Sequence, residues 1–415
     1  MSDIQIADVS VRRLSGPRDH LPGGGSGEIS KLIVRVEADD GTYGLGEAED
    51  FFGVVEAIQY VDNVLEGRDP MAIRPHVSEV VFGTLPPHTE QQQRRIADSP
   101  EGFRPIASTS PTATPYGPIV WGVAGVEMAL CDLVGKTLGT PVYNLLGGQY
   151  RDEARIYLDR SAPEMKDDLD AWREMARESV AEEFDFLKFD IDYTAPDHTT
   201  DPWNRSLSSA QRSRIVERIG AVREEVGPDV ELAVDCHWQY NEGDALRLAR
   251  DLSEFDLMWF EDPAPVTDPG TYARVSRETD VPVCAGEMLT PAQFRQYLDM
   301  DACDIVHPDV LFTGGLHATH RIAELAEMHR VPMAMHGNGG CLATIAAAHV
   351  AAASRNFLGI EYHHVETDWL AEYVERKRAP LFENGAVPLT DAPGLGVELD
   401  RSVCEQYLEP GQTLF

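Results

Sequence analysis

Val230-Glu231-Leu232-Ala233-Val234-Asp235, Leu257-Met258-Trp259-Phe260-Glu261 and Pro282-Val283-Cys284-Ala285-Gly286-Glu287 share one design. Each is a short apolar run that stops at a carboxylate. Such runs read as strands buried on both faces, as in a parallel sheet. Their carboxylates recur at a constant interval, 261 − 235 = 26 and 287 − 261 = 26 residues. That interval holds one crossover helix between neighbouring strands.

The same rhythm extends both ways. Strands are expected over 154–159, 186–191, 230–235, 257–261, 282–287, 303–309, 331–336 and 357–362, with helical periods over 210–225, 244–252 and 318–329. Eight strands alternating with helices predict a parallel (β/α) TIM-like barrel over residues 121–369. Residues 1–120 differ. Segments 4–13 and 32–37 alternate or run apolar, and a loop rich in Gly and Pro, 16–27, joins them as an antiparallel hairpin. Helices follow near 54–65 and 75–81. The stretch 86–118, rich in Pro, Ser and Thr, reads as an irregular loop. An α+β capping domain over 1–120 results, with the tail from about 370 to 415 packing back on it.

Composition narrows the function. The chain of 415 residues carries 70 acidic and 35 basic side chains, a net charge of −35. Such a surface repels nucleic acid. Only five lysines occur (31, 136, 166, 188 and 377), so arginine supplies the other 30 basic residues. Acid-rich, lysine-poor surfaces keep proteins hydrated in concentrated salt, so a salt-loving cytoplasm is expected; an acidic protein of ordinary habitat is the alternative. No apolar run reaches the roughly 18 residues of a membrane span. The first residues hold neither a basic region nor an apolar signal core. The six cysteines (131, 236, 284, 303, 341 and 404) form no CxxC pair and read as reduced core residues.

Strand ends carry the chemistry. Lys188 and Asp190, Asp235 and His237, Glu261, Glu287, Asp309, His336 and Glu361 stand where apolar runs stop. In a parallel barrel these ends face one rim, where active sites form. Asp235, Glu261 and Glu287 close consecutive strands and would repel one another without a cation. A hard divalent ion, Mg²⁺, relieves this; three helix caps are the plain alternative. Asp309 and His336 can place a carboxylate on an imidazole and so create a general base. Lys188 is a rare lysine in an apolar strand, if it does not merely snorkel at the barrel edge. Glu361 reads as a protonated acid donating to a substrate oxygen, or as a supporting partner of such a group.

The succession Lys-x-Asp (188–190), Asp-x-His (235–237), Phe-Glu-Asp-Pro (260–263), Ala-Gly-Glu (285–287), Pro-Asp (308–309), His-Gly (336–337) and Ile-Glu (360–361) resembles the mandelate racemase branch of the enolase superfamily. Segment 122–148 is similar to that branch's lead into the barrel. The resemblance implies Mg²⁺ on Asp235, Glu261 and Glu287, a His336–Asp309 dyad, and a substrate-facing glutamate at 361. Lys188 matches a lysine that in relatives faces the substrate carboxylate. Racemases of the branch carry Lys-x-Lys, whereas the second position here is Asp190. An ionised Asp190 would be repelled by the substrate carboxylate, so a two-base racemisation is disfavoured. The Lys-x-Asp form is similar to acid-sugar dehydratases of the gluconate and galactonate type. His237 matches the residue that serves as general acid for the departing hydroxyl in galactonate-type relatives.

The resemblance therefore implies a hydro-lyase. His336 takes the C2 proton of a sugar acid, Lys188 and Glu361 help stabilise the enediolate, and His237 protonates the 3-hydroxyl to leave a 2-keto-3-deoxy acid. An epimerase, racemase or cycloisomerase on the same scaffold is one alternative, and a sugar-acid-binding barrel without turnover is another. Specificity is expected in the loops 16–30 and 51–52. The chain is expected to be cytoplasmic, to bind neither nucleic acid nor membrane, and to assemble as a homo-oligomer.

The charge excess makes a prediction of its own. Between ~0.1 M and ~1 M KCl the Debye length falls from ~10 Å to ~3 Å. The melting temperature of the protein, followed by circular dichroism, should rise across that range. An unchanged or falling value contradicts the high-salt reading.

Overall fold

The structure is a computed structural model that describes residues 4–18, 27–82, 117–160, 162–163, 167–182, 184–192, 203–363, 367–376 and 379–415. Eight parallel strands, β4 (Glu153–Asp159), β5 (Phe186–Asp190), β6 (Glu231–Asp235), β7 (Trp259–Glu261), β8 (Val283–Ala285), β9 (Ile305–Val306), β10 (Met333–Met335) and β11 (Phe357–Tyr362), pair in chain order. β11 closes onto β4 through Ile360–Ile156, Glu361–Tyr157 and Tyr362–Leu158. The barrel expected from the apolar runs is thus present, strand for strand. Helices such as Ser209–Val226 fill the crossovers. That helix begins on a capping box between Ser208 and Gln211 and stops at Gly227, whose φ is +74°.

Three observed strands stop short of the polar residues that end their sequence patterns. β8, β9 and β10 stop at Ala285, Val306 and Met335, short of Glu287, Asp309 and His336. The residues that end each apolar run have left the ladder and belong to the rim.

The N-terminal sheet also differs from a simple hairpin. β1 (Ile6–Arg18) and β2 (Gly27–Ala38) pair antiparallel and extend further than expected, taking in Gly16 and Pro17. β3 (Tyr43–Glu49) adds a third strand on β2. Its sequence, with Gly44 and Gly46, lacks the alternation that marks a strand. The helices Val54–Leu65 and Ile73–Phe82 follow. Of the expected irregular stretch 86–118, residues 86–116 lie outside the described residues.

The helix Pro118–Leu138 is long and apolar enough by composition to cross a membrane, but 83% of its apolar window is buried. It packs along β3 and serves as a core helix. The tail returns to the N-terminal strands. Leu408 bridges Leu14, Trp369 Nε1 donates to the Pro17 carbonyl at 3.0 Å, and Leu395 N donates to Asp132 at 2.7 Å. A division near residue 120 stays our proposal, because the helix Pro118–Leu138 touches both regions.

All six cysteines are free and buried. Of the five lysines, 31, 136 and 188 are described. Each faces a buried carboxylate, and their side chains are 0%, 15% and 1% exposed. Lysine in the described part of this chain is an interior cation, not a surface charge.

Candidate active site

The barrel interior is filled just below the rim by Tyr157, Phe186, Ala233, Trp259, Cys284, Ile305 and Ala334, one from each of β4 to β10. Side chains two residues apart along a strand share a face. The next layer up is therefore Asp159, Lys188, Asp235, Glu261, His307 and His336, and every one is buried. An apolar floor thus carries a ring of charge.

β8 departs from that parity. Two residues after Cys284 stands Gly286, with φ +115°, where a Cβ would lie 2.4 Å from the Phe294 ring. Only glycine tolerates this turn, and it delivers Glu287 to the rim one residue later. Gly337 serves a second close approach. A Cβ there would sit 2.1 Å from the Glu361 carbonyl, so the loop after β10 lies directly against β11.

Asp235 and Glu261 end β6 and β7, Glu287 stands two residues past β8, and each offers an oxygen within 4.8 Å of the others. Burial and the charge of Glu261 push the Asp235 carboxyl well above its usual range. Glu261 itself goes the other way: burial would raise it, but His307 and Lys188 pull it down. Lys188 Nζ lies 2.7 Å from Glu261, 2.8 Å from Glu361, 3.2 Å from Asp235 and 3.3 Å from Asp159. Burial would lower the lysine's pKa, yet these four carboxylates hold it charged. One ammonium among so many buried acids leaves an excess of negative charge. At ~4 Å and an effective dielectric of ~20, each like-charge pair costs ~4 kcal/mol. A cluster of hard oxygen donors with one carboxyl forced toward protonation fits a divalent cation such as Mg²⁺.

One imidazole stands at each end of this trio. At the β8 end, His336 Nε2 is 3.3 Å from Glu287, and its Nδ1 donates to Asp309 at 2.6 Å. Asp309 is fixed in turn by the Leu311 N–H at 2.6 Å. Burial would keep this ring neutral, but Glu287, Glu361 and Asp309 raise its pKa well above the usual value. At the β6 end, His237 Nε2 is 3.5 Å from Asp235, and its Nδ1 is 3.2 Å from Asp192. Burial opposes its charge, while Asp235, Asp190 and Asp192 favour it. His237 and Trp238 both adopt left-handed backbone, at φ 43° and 60°. Held strain of this kind aims a side chain where a relaxed turn would not.

Two expectations change. Glu361 does not read as a protonated acid. Burial would raise it, but Lys188, His363 and His336 hold it well below the usual carboxylate range. Asp190 does not read as ionised. Burial and the neighbouring Asp159 push its carboxyl well above that range, so its repulsion of a substrate carboxylate falls away.

The structure brings together Lys188, Asp190, Asp235, His237, Glu261, Glu287, Asp309, His336 and Glu361. It adds residues that the strand-end reading missed. Tyr157 donates to Glu361 at 3.1 Å and meets His307 at 2.6 Å. His307 lies 3.3 Å from Glu261 and has a pKa of about 9, because the pull of Glu261 and Glu361 exceeds the effect of burial. His363 Nε2 is 2.9 Å from Glu361. Strand parity could have found Tyr157, Asp159, His307 and His363, since each lies two residues from a neighbour on the same face.

From the capping side Phe51 stacks on Phe312 at 5.9 Å and meets Trp121 edge-on at 5.4 Å. Phe312 is 6.1 Å from the His336 ring. Phe51 thus connects to the dyad through Phe312, while Phe52 is 98% exposed. In the other expected specificity loop, 16–30, residues 19–26 lie outside the described residues.

Family models match both parts of the chain. Residues 8–147 match the mandelate racemase/muconate lactonizing enzyme N-terminal domain, and residues 171–403 match the enolase C-terminal domain-like family. The chain belongs to the mandelate racemase/muconate lactonizing enzyme family. Among curated relatives, a D-xylonate dehydratase from Haloferax volcanii is 35% identical over all of this chain and 91% of its own. An arabinonate dehydratase from Saccharolobus solfataricus is 28% identical, covering 98% of this chain and 99% of its own. A mandelate racemase/muconate lactonizing enzyme-like protein from Rubrobacter xylanophilus superposes with a TM-score of 0.84 at 32% identity, over 100% of both chains. Within this family, the carboxylate trio on β6, β7 and β8 is the place to test for a cation. At ~100 times its Kd, a ligand stabilises a fold by ~2.7 kcal/mol. Thermal melts at constant ionic strength should show such a Mg²⁺-dependent gain in the wild type, reversed by EDTA. Asp235→Ala, Glu261→Ala and Glu287→Ala should each lose it. An undiminished gain in all three variants places the ion elsewhere.

Proposed function

We propose that the chain is a Mg²⁺-dependent dehydratase of an aldonate-type sugar acid, a hydro-lyase that forms a 2-keto-3-deoxy acid. One observation carries this: two imidazoles, each on its own aspartate, flank the carboxylate trio at opposite ends. Elimination of water needs a base at C2 and an acid at the C3 hydroxyl, and the two histidines supply them. The similarity to curated xylonate and arabinonate dehydratases supports the same reading.

Asp235, Glu261 and Glu287 would hold the ion, which when bound draws electron density from the substrate carboxylate and so acidifies C2–H. Lys188, fixed charged beside Glu261 and Glu361, offers its ammonium to the same carboxylate and to the negative charge that develops on it. His336 takes the C2 proton at Nε2, while Asp309 holds Nδ1–H and steadies the imidazolium. His237, kept in its donating form by Asp192 and Asp235, protonates the leaving 3-hydroxyl. The enol then tautomerises to the ketone. Ionised Glu361 orients Lys188 and His363. Asp190, its carboxyl raised by burial and by Asp159, is suited to donate to a substrate oxygen rather than to remove a proton from the second face of C2. Phe51, Trp121 and Phe312 wall the site beside the base and shape its specificity.

The lysine-poor, acidic chain supports work in concentrated salt, in the cytoplasm, on a small-molecule sugar acid. We also expect a homo-oligomer that binds neither nucleic acid nor membrane.

The test is to incubate the protein with Mg²⁺ and high salt against D-xylonate, arabinonate, D-gluconate and D-galactonate. At least one should give a 2-keto-3-deoxy acid, 18 Da lighter than its substrate. His336→Asn should lose both product and solvent-deuterium exchange at C2. His237→Asn should lose dehydration by ~100-fold or more while retaining slow C2 exchange. Because a cycloisomerase from Zobellia galactanivorans shares the fold with a TM-score of 0.78 at 26% identity, the contrary result is specific: a product of unchanged mass from every acid tested.

A further inference from the structure

The capping sheet reaches under the loop that carries His336. Lys31 on β2 and Glu49 on β3 are direct cross-strand partners, both buried, and they form an ion pair. Lys31 Nζ also donates to the main-chain oxygen of Asn338 at 2.6 Å. The Asn338 N–H points to Asp309 Oδ2 at 3.5 Å, the oxygen that accepts His336 Nδ1–H. A continuous chain of contacts thus runs Lys31, Asn338, Asp309, His336. Two residues before Glu49 on the same strand face, Glu47 accepts the N–H groups of Gly340 at 2.6 Å and Ala343 at 3.0 Å, and the Tyr373 hydroxyl at 2.5 Å. The segment from His336 to the start of helix Cys341–Ala353 is therefore gripped from the capping side.

The electrostatics run along the same line. Burial raises the Glu49 carboxyl to about 7, Lys31 opposes that, and the charges of Glu47 and Asp309 add to it. Glu49 and Asp309 therefore sense one another, with the Lys31 ammonium beside Glu49 and bonded to the loop between them. A chain with five lysines places one of them here, in an interior pair, without contact to the carboxylate trio.

We propose that Lys31, held by Glu49, is a positioning residue for the general base: through Asn338 it sets where His336 and Asp309 stand relative to the substrate. This rests on the assignment of His336 as the base. Cap docking and proton abstraction are then linked by one hydrogen bond, and a cap that is not seated leaves the base misplaced.

The Lys31→Met variant alone leaves Glu49 buried without its cation and would unfold part of the cap. The decisive variant is Lys31→Met with Glu49→Gln, which removes both charges. Its melting temperature should stay near that of the wild type. Its kcat for dehydration and its rate of C2 exchange should fall together, by ~100-fold, with KM little changed. A second readout needs no turnover. The low-field proton resonance of His336 Nδ1–H, assigned by its loss in His336→Asn, should broaden or vanish in the double variant. Wild-type kcat in the double variant, or an unaltered Nδ1–H resonance, overturns the proposal and leaves Lys31 a docking contact only. If the wild type itself shows no C2 exchange with any sugar acid, the base assignment has failed, and the resonance still reports whether Lys31 holds the imidazole.

Discussion

Crowding of negative charge at the barrel mouth is the constraint on which the rest of the site depends. Asp159, Asp190, Asp235, Glu261, Glu287, Asp309 and Glu361 are all buried there, with Lys188 as the one lysine among them in the described residues. Folding such a set against its own repulsion demands compensation. The protein supplies part of it: Lys188 bridges four carboxylates, His307 takes up charge between Glu261 and Glu361, and burial with the charge of Asp159 raises the Asp190 carboxyl. What is left over sits on Asp235, Glu261 and Glu287, on three neighbouring strands. A site that is unfavourable alone and favourable with a cation is how a fold reserves a place for one.

The same crowding divides acid from base. Both histidines are driven toward the charged form by nearby carboxylates. On the proposed mechanism, a cation on Glu287 would offset the carboxylate facing His336 Nε2 and favour the neutral ring a base requires. His237 keeps Asp192 on its far nitrogen and so keeps its proton. On that mechanism, two imidazoles of the same intrinsic pKa would take opposite tasks from their surroundings. The strained backbone at His237 and Trp238 and the capping-domain grip on the loop after His336 act on position, not on charge.

Much of this was legible in the sequence because a parallel barrel strand is apolar until it reaches the rim. The eight runs located the strands, and their last residues located the trio, the dyad and Lys188. Parity carries further than the strand ends alone. Asp159, His307 and His363 each stand two residues from a residue already facing the interior, so the alternation that places Glu361 also places His363. Other features follow no local period. Glu287 reaches the rim only because Gly286 adopts φ +115°. The glycines of β3 serve a tertiary contact: a Cβ at Gly44 or Gly46 would lie 2.0 Å from a carbonyl oxygen of the helix Pro118–Leu138. The shifts at Glu361 and Asp190 have no local signal, since each depends on neighbours from other strands. Asp192 and Lys31 gain their partners from tertiary contact, from His237 on β6's loop and from Asn338 more than 300 residues away.

The most direct measurement is the proton balance of Mg²⁺ binding, by isothermal titration calorimetry near pH 7 in two buffers of different ionisation enthalpy. Without the ion, burial and the charge of Glu261 raise the Asp235 carboxyl, and Glu287, Glu361 and Asp309 raise the His336 ring, so protons bound there compete with the ion. An ion settling among Asp235, Glu261 and Glu287 displaces them. The account predicts one bound ion per chain with at least ~1 proton released, and loss of both in Asp235→Ala. Binding without proton release, or no binding at all, contradicts it.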